Sequence, residues 1–138
     1  MAAQISALLV GSVSRDLIAT GGAAPGGVPH WAGLALLRLG ARVRVLTRVA
    51  DTDDSLLDPL RSAGAEVRRL PSAATTTCRN EYGARGDRHE LWACSDPIAA
   101  HDVPESWRSA DLVQLGPLHP SDLTPGLAIR MLSIIAQR

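Results

Sequence analysis

PGGVPHWAGLALLRLG, residues 25–40, decides how the rest of the chain reads. Two adjacent glycines, Gly26 and Gly27, are followed by Pro29 where the first turn of a helix would begin. Proline suits that position, because the N–H it lacks is one the helix leaves unpaired anyway. Trp31, Ala32, Leu34, Ala35, Leu36, Leu37 and Leu39 then make a nearly continuous apolar run. A helix apolar on most sides is a buried one, so burial is expected here. Gly40 ends it, in the C′ position that glycine commonly fills. The glycine pair thus brings bare backbone to a helix N-terminus, whose unpaired N–H groups and partial positive charge suit oxygen-rich ligands.

Before this stretch, Ile5 to Val10 is a short apolar run closed by Gly11, a buried strand by its pattern. Asp16 lies just beyond it, at the end of the strand where open α/β sheets bind ligands; taken alone, it reads first as a cap or a solvated turn residue. Residues 17–25 are rich in glycine and alanine and read as an extended segment and loop. After the helix, Val43, Val45 and Leu46 give a second strand, and strand–helix–strand implies a right-handed parallel crossover. Asp51, Asp53 and Asp54 precede a helix that Pro59 shortens and Gly64 ends; acidic residues there favour capping and the helix dipole.

Glu66 to Leu70 is a third strand, stopped by Pro71. Cys78–Tyr82 and Arg88–Cys94 flank the turn GARGD and read as a half-exposed hairpin projecting over a cleft, with Cys78 and Cys94 opposite each other as reduced thiols. Pro104 to Trp107 fits one helical turn and Asp111 to Leu115 a last strand. Leu127, Ile129, Met131, Leu132, Ile134 and Ile135 make a final apolar helix, led into by Asp122 and Pro125.

Length and composition bound the function. At 138 residues the chain is one domain, with 46% apolar residues, enough for an ordinary core. Fourteen basic residues balance fourteen acidic ones, which argues against a broad nucleic-acid footprint, and 3% aromatics leaves little to stack bases on. No run is long enough for a membrane span and the start lacks a basic n-region, so a cytoplasmic location is expected. There is no P-loop pattern, no G-x-S-x-G elbow and no G-x-G-x-x-G. His30, His89, His101 and His119 have no ligand spacing and read as loop or surface residues, so no metal site is expected.

The order of these features resembles the N-terminal half of the ribokinase-type (PfkB) sugar and nucleoside kinases. Gly11-Ser12-Val13-Ser14-Arg15-Asp16 is similar to the family's G-S-x-x-x-D, Gly26-Gly27 with Arg38-Leu39-Gly40 to its glycine pair and R-L-G helix, and Val49-Ala50-Asp51-Thr52-Asp53 to its V-G-x-D region. The resemblance implies a three-layer α/β fold with a mainly parallel sheet and a small β lid, residues 1–138 being the substrate-binding and lid part, truncated before the ATP-binding half. It implies substrate binding by Asp16, which would accept bonds from substrate hydroxyls, by Gly26 and Gly27, and by Trp31, which stands where the family usually has asparagine. Gly116-Pro117 stands where many members carry a glutamate.

Full-length relatives transfer the ATP γ-phosphoryl group, with Mg, to a sugar or nucleoside hydroxymethyl group. Their anion hole and base sit in a later G-A-G-D motif, which these 138 residues do not contain. The chain alone is therefore expected to hold no catalytic or cofactor-binding residue and to bind a small sugar or nucleoside. Self-association through the lid or an exposed sheet edge is expected too. A non-catalytic binding or subunit-association module and a truncated gene remnant are the rival readings.

Overall fold

Strand β1 (Ser6–Gly11) sets the layers. In the computed structural model, which describes residues 3–136, Ala7 and Leu9 face one side of a sheet while Leu8 and Val10 face the other, and none is more than 1% exposed. Side chains alternate along a strand, so a run apolar at every position must be covered on both faces. The covering strands and helices follow in order: α1 (Val28–Arg38), β4 (Arg42–Arg48), α2 (Asp58–Ser62), β5 (Glu66–Leu70), β8 (Leu112–Gly116) and α3 (Pro125–Ala136). The strands form one parallel sheet in the order β5-β4-β1-β8. On one face Ala7, Leu9, Val43, Val45, Leu57 and Leu60 pack with α1. On the other, Leu8, Val10 and Leu46 meet Trp107, Leu127 and Met131. This is the three-layer α/β arrangement expected.

A second sheet sits apart from the first. It comprises β2 (Ser14–Leu17), β3 (Ala23–Gly26), β6 (Thr77–Glu81) and β7 (Arg88–Ala93) in the order β3-β2-β6-β7. β2 pairs antiparallel with β3 and parallel with β6, and β6 pairs antiparallel with β7. This is the small β lid. Its polar strands are tolerated because they are half-exposed, unlike β1.

Residues 17–25 hold the extended segment expected, here resolved into strand ends joined by a turn over residues 18–22, with Ala23–Gly26 forming β3. Several local expectations need correction. Asp16 lies within strand β2, not in a turn beyond β1. Helix α1 is not buried on most sides, since Trp31 is 63% exposed and Ala35 is exposed as well. Only the side carrying Pro29, His30 and Gly33 is fully covered, because one sheet face can bury one stripe of a helix. The outer side leaves an apolar groove between Ala32, Ala35 and Leu36 of α1 and Leu112 and Val113 of β8, a strand with no neighbour beyond it among the described residues.

Asp51, Asp53 and Asp54 do not cap a helix with their side chains. They form ion pairs instead: Asp51 with Arg69 at 2.6 Å, Asp54 with Arg61 at 2.9 Å and Asp53 with Arg15 at 3.8 Å. Cys78 faces Leu91 rather than Cys94, because the hairpin register set by Asn80 opposite His89 and Arg79 opposite Glu90 runs on to Cys78. Both cysteines are free. Helix α3 buries Leu127 and Met131 but exposes Ile129 and Leu132; the side chains of residues 134–136 lie outside the description.

Three elements meet at the carboxyl end of the parallel sheet through glycine. A Cβ on Gly11 would collide with the Gly116 backbone, and one on Gly116 would come within 2.8 Å of Val28. The Ser12 N–H donates to Gly116 O at 3.1 Å, so the approach is held by a bond as well as by shape. Gly11→Ala should therefore cost roughly 1–3 kcal/mol, as overpacking of a rigid site does. Urea denaturation checks it; an unchanged midpoint would show that the β1 and β8 ends can separate freely.

Candidate functional site

The chain leaves β1 at Gly11 and turns through Ser12 and Val13 into β2, carrying Asp16 into the lid sheet. Two bonds fix that turn: the Val13 N–H donates to Thr47 Oγ1 at 3.0 Å, and Ser12 Oγ donates to Asp122 Oδ2 at 2.8 Å. Asp122 is 1% exposed. The same oxygen accepts the N–H groups of Leu118 at 2.7 Å and His119 at 2.9 Å, so this carboxylate ties the segment after β8 to the segment after β1. Its Oδ1 is buried without a partner. The sequence signals Asp122 only as a residue leading into a helix; nothing there marks a junction between two strand ends.

Asp16 is half-buried, and Ser14 Oγ donates to its Oδ1 at 2.6 Å. Among the described residues no guanidinium lies within ion-pair distance of it, although Arg15 beside it pairs with Asp53. The glycine pair has two separate reasons. Gly26 lies against the Asp16 carboxyl group, which occupies the place a Cβ would take. Gly27 has φ 87°, where L side chains are strained, and a Cβ there would strike Ser12 O. No side chain caps α1 at Gly27.

Ser14, Asp16 and Gly27 line a 390 Å³ cavity together with Asn80, His89 and Leu91 of the lid hairpin, Asp16 and Leu91 lying on the same face of the lid sheet. Of the residues expected to bind substrate, Asp16 and Gly27 line it directly and Gly26 backs Asp16. Trp31 is not in its lining and lies edge-on to His30, with ring centroids 4.7 Å apart.

His30 corrects a further expectation. It is no surface residue but 3% exposed, in the first turn of α1, with Nδ1 buried and unpartnered. Burial lowers its pKa from the ordinary 6.5, and the Asp16 charge opposes that without cancelling it. Burial also raises the pKa of the Cys78 thiol, with Asp16 and Asp122 adding to the effect. Among the described residues no three His, Cys, Asp or Glu side chains gather to hold a metal ion. This lining offers the Asp16 and Glu90 carboxylates but no arginine to pair with a polyphosphate. No described helix is long and apolar enough to cross a membrane.

A lid of four strands over the carboxyl end of a parallel, helix-flanked sheet defines a ribokinase-like fold. The likeness extends to sequence. The chain is 26% identical to a pyrophosphate-dependent kinase of the ribokinase family complexed with a pyrophosphate analog and myo-inositol, covering 88% of this chain and 43% of that one at TM-score 0.76. It is 25% identical to a pyrophosphate-dependent myo-inositol-1 kinase converted by two substitutions into a myo-inositol-3 kinase, covering 86% and 41% at TM-score 0.72. A fructokinase from Vibrio cholerae bound to fructose, ADP and potassium shares the fold at 20% identity, covering 97% and 46% at TM-score 0.65. No protein-family model matches, and no curated protein matches significantly. The chain is thus similar to the N-terminal half of ribokinase-family kinases, and it spans less than half the length of these three.

His30 gives this site a pH signature. The folded chain keeps His30 neutral to lower pH than the unfolded chain does, so the unfolded state binds more protons as pH falls below 6.5. Stability contributed by the neutral ring is present above that pH and lost as pH drops toward the lowered folded value, by at most about 1.4 kcal/mol per pH unit. Urea midpoints at pH 7.5 and 5.5 should differ less in His30→Gln than in the parent. Equal differences would place the acid sensitivity elsewhere.

Proposed function

We propose that this chain supplies the acceptor-binding part of a ribokinase-type kinase whose acceptor is a small polyol. The observation that carries the reading is Asp16: a half-buried carboxylate on a cavity wall, held by Ser14 and matched by no cation among the described residues. Such a group has accepting oxygens to spare, and alcohol O–H groups satisfy them at low cost, since bonds to an ionised acceptor are about twice as strong as neutral ones. Gly27 lets a ligand approach the backbone at the start of α1. The lid hairpin extends the same sheet face beside Asp16 with Asn80, His89 and Leu91. The inositol- and fructose-bound neighbours support a polyol as the acceptor.

Phosphotransfer also needs a base at the acceptor hydroxyl and donors for the charge developing on the phosphoryl group. In this reading those groups come from a G-A-G-D segment outside these 138 residues. ATP and pyrophosphate are both donors among the kinases of this fold, and Mg with either would be held there rather than here. Each missing contribution is worth roughly 10²-fold or more in rate. The 138-residue chain should therefore transfer no phosphate from ATP or pyrophosphate to a polyol; steady turnover abolished by Asp16→Ala would overturn that.

Binding is the direct test. In calorimetric titrations of myo-inositol and D-fructose, Asp16→Ala should weaken binding by about 1.5–3 kcal/mol, roughly ten- to a hundredfold. Equal affinity in parent and variant would move the acceptor pocket away from Asp16.

A further inference from the structure

The lid sheet carries a second hollow, on the face turned away from Asp16. Leu17 stands opposite Arg79 across the parallel β2–β6 pair, so Arg15, Leu17, Arg79 and Glu81 share that outer face. Trp92 of β7 joins them, with the Arg79 guanidinium over its ring at 5.7 Å. Together with Ile18 of the β2–β3 turn they line a hollow of 350 Å³. The two sides of the sheet differ in charge. The Asp16 cavity is lined by carboxylates and by no arginine. The outer hollow holds Arg15 and Arg79, and Glu81 is the one carboxylate in its lining.

Neither guanidinium is fully engaged. Asp53 lies 3.8 Å from Arg15 Nε, beyond hydrogen-bonding distance, and among the described residues no group accepts a hydrogen bond from the Arg15 side chain. Arg79 meets Glu81 at 2.9 Å through one nitrogen, and both side chains are about half exposed. An exposed pair of this kind contributes little to stability, so it yields readily to a stronger anion. Phosphate is such an anion: it carries more charge than a carboxylate and matches the arginine fork with several oxygens. Arg15 and Arg79 are diagonal neighbours across the pair, close enough for two long side chains to meet on one group.

The rest of the hollow suits a hydroxylated body. Trp92 is 57% exposed and Ile18 46%, so both offer open apolar surface beside the cations. Trp92 is held in place by its Nε1, which donates to Glu90 at 3.1 Å. The C–H face of a polyol ring packs on such a surface. Glu81, released from Arg79 by the phosphate, then accepts bonds from the outward O–H groups.

We propose that this outer hollow is a second binding site, distinct from the Asp16 cavity, and that its ligand is a polyol or sugar monophosphate. Arg15 and Arg79 hold the phosphate, Trp92 and Ile18 take the C–H face, and Glu81 takes hydroxyls. None of these groups lines the acceptor cavity, so the site stands without the acceptor reading of Asp16. The two sites nevertheless share a strand, since Arg15 and Asp16 are neighbours on β2. Such an ester has the chemistry of a product of phosphate transfer to a polyol.

The experiment titrates the 138-residue chain with myo-inositol 1-phosphate, inorganic phosphate and myo-inositol, followed by calorimetry and by tryptophan emission. The ester should bind about tenfold or more tightly than inorganic phosphate, because only the ester also uses Trp92, Ile18 and Glu81. Its affinity should fall severalfold between about 50 and about 300 mM NaCl, as screening of exposed charges requires. Arg79→Gln and Trp92→Leu should each weaken the ester by about tenfold, and Arg79→Lys, which keeps the charge without the fork, by less. Urea midpoints show that these surface variants remain folded, and the salt dependence of the parent needs no variant. Asp16→Ala should leave the affinity for the ester within about twofold, whatever it does to myo-inositol. If Asp16→Ala weakens the ester while Arg79→Gln does not, the ester sits in the Asp16 cavity and the second site falls. Equal affinity for inorganic phosphate and the ester overturns the polyol phosphate as its ligand. Failure of the ester to bind overturns the site outright, and leaves the Asp16 reading to be judged by myo-inositol alone.

Discussion

Everything at the site depends on a backbone-to-backbone approach at the carboxyl end of the parallel sheet. Gly11 of β1 lies against Gly116 of β8, Gly116 lies against the first residue of α1, and Gly27 lies against Ser12. Side chains at these positions would push β1, β8 and α1 apart. Close approach removes the space for water, so polar groups in the junction need protein partners. Asp122 is the answer: one buried oxygen takes three donors from two chain segments. The cost is its second oxygen, left without a partner. The turn from β1 into β2 is thus rigid on both sides, and it delivers Asp16.

Rigid delivery matters because Asp16 has little else to hold it. A hydroxyl bond from Ser14 two residues away and the pairing of β2 with β3 and β6 set its position. Gly26, facing Ser14 across the β2–β3 pair, leaves room for the carboxyl group itself. The glycine pair that reads in the sequence as bare backbone offered to a ligand is therefore spent in part on the protein's own carboxylate. Gly27, by contrast, lies in the cavity lining with its backbone at φ 87°.

Legibility in the sequence followed the strength of the physical signal. β1, β4 and β5 were plain, because strands buried in a parallel sheet must be apolar at successive positions or alternate strongly. The GARGD hairpin was plain as well, with Gly86 at φ 111°. Strand β3 was hidden, since Ala23 to Gly26 has neither alternation nor β-branched residues; it is a strand because β2 offers it a ladder. The burial of α1 was overread, because apolar content reports what a helix can cover and not what is present to cover it. His30 was missed for the opposite reason. A histidine inside an apolar run is a weak pattern, and only the packing of the first helical turn shows that its ring is enclosed. Cys78 misses Cys94 by three residues because the turn sets the register that pairs it with Leu91, which the symmetry of the sequence about Gly86 does not reveal.

The charge distribution closes the argument. A net charge of zero made from fourteen arginines and fourteen carboxylates could have been uniform. Instead the guanidiniums are consumed locally: Arg44 by Glu66, Arg48 by Asp102, Arg61 and Arg69 by Asp54, Arg15 by Asp53. These pairs stitch β4, β5 and their connections together and contribute little energy each where exposed. Their collective effect is positional. With so many cations held elsewhere, the Asp16 cavity stays electronegative within a neutral protein, at an effective dielectric below that of water, where an unmatched carboxylate draws hydroxyl donors and repels anions. In the proposed reading, selectivity for uncharged, hydroxyl-rich ligands rests on where the arginines are paired as much as on the residues that line the cavity.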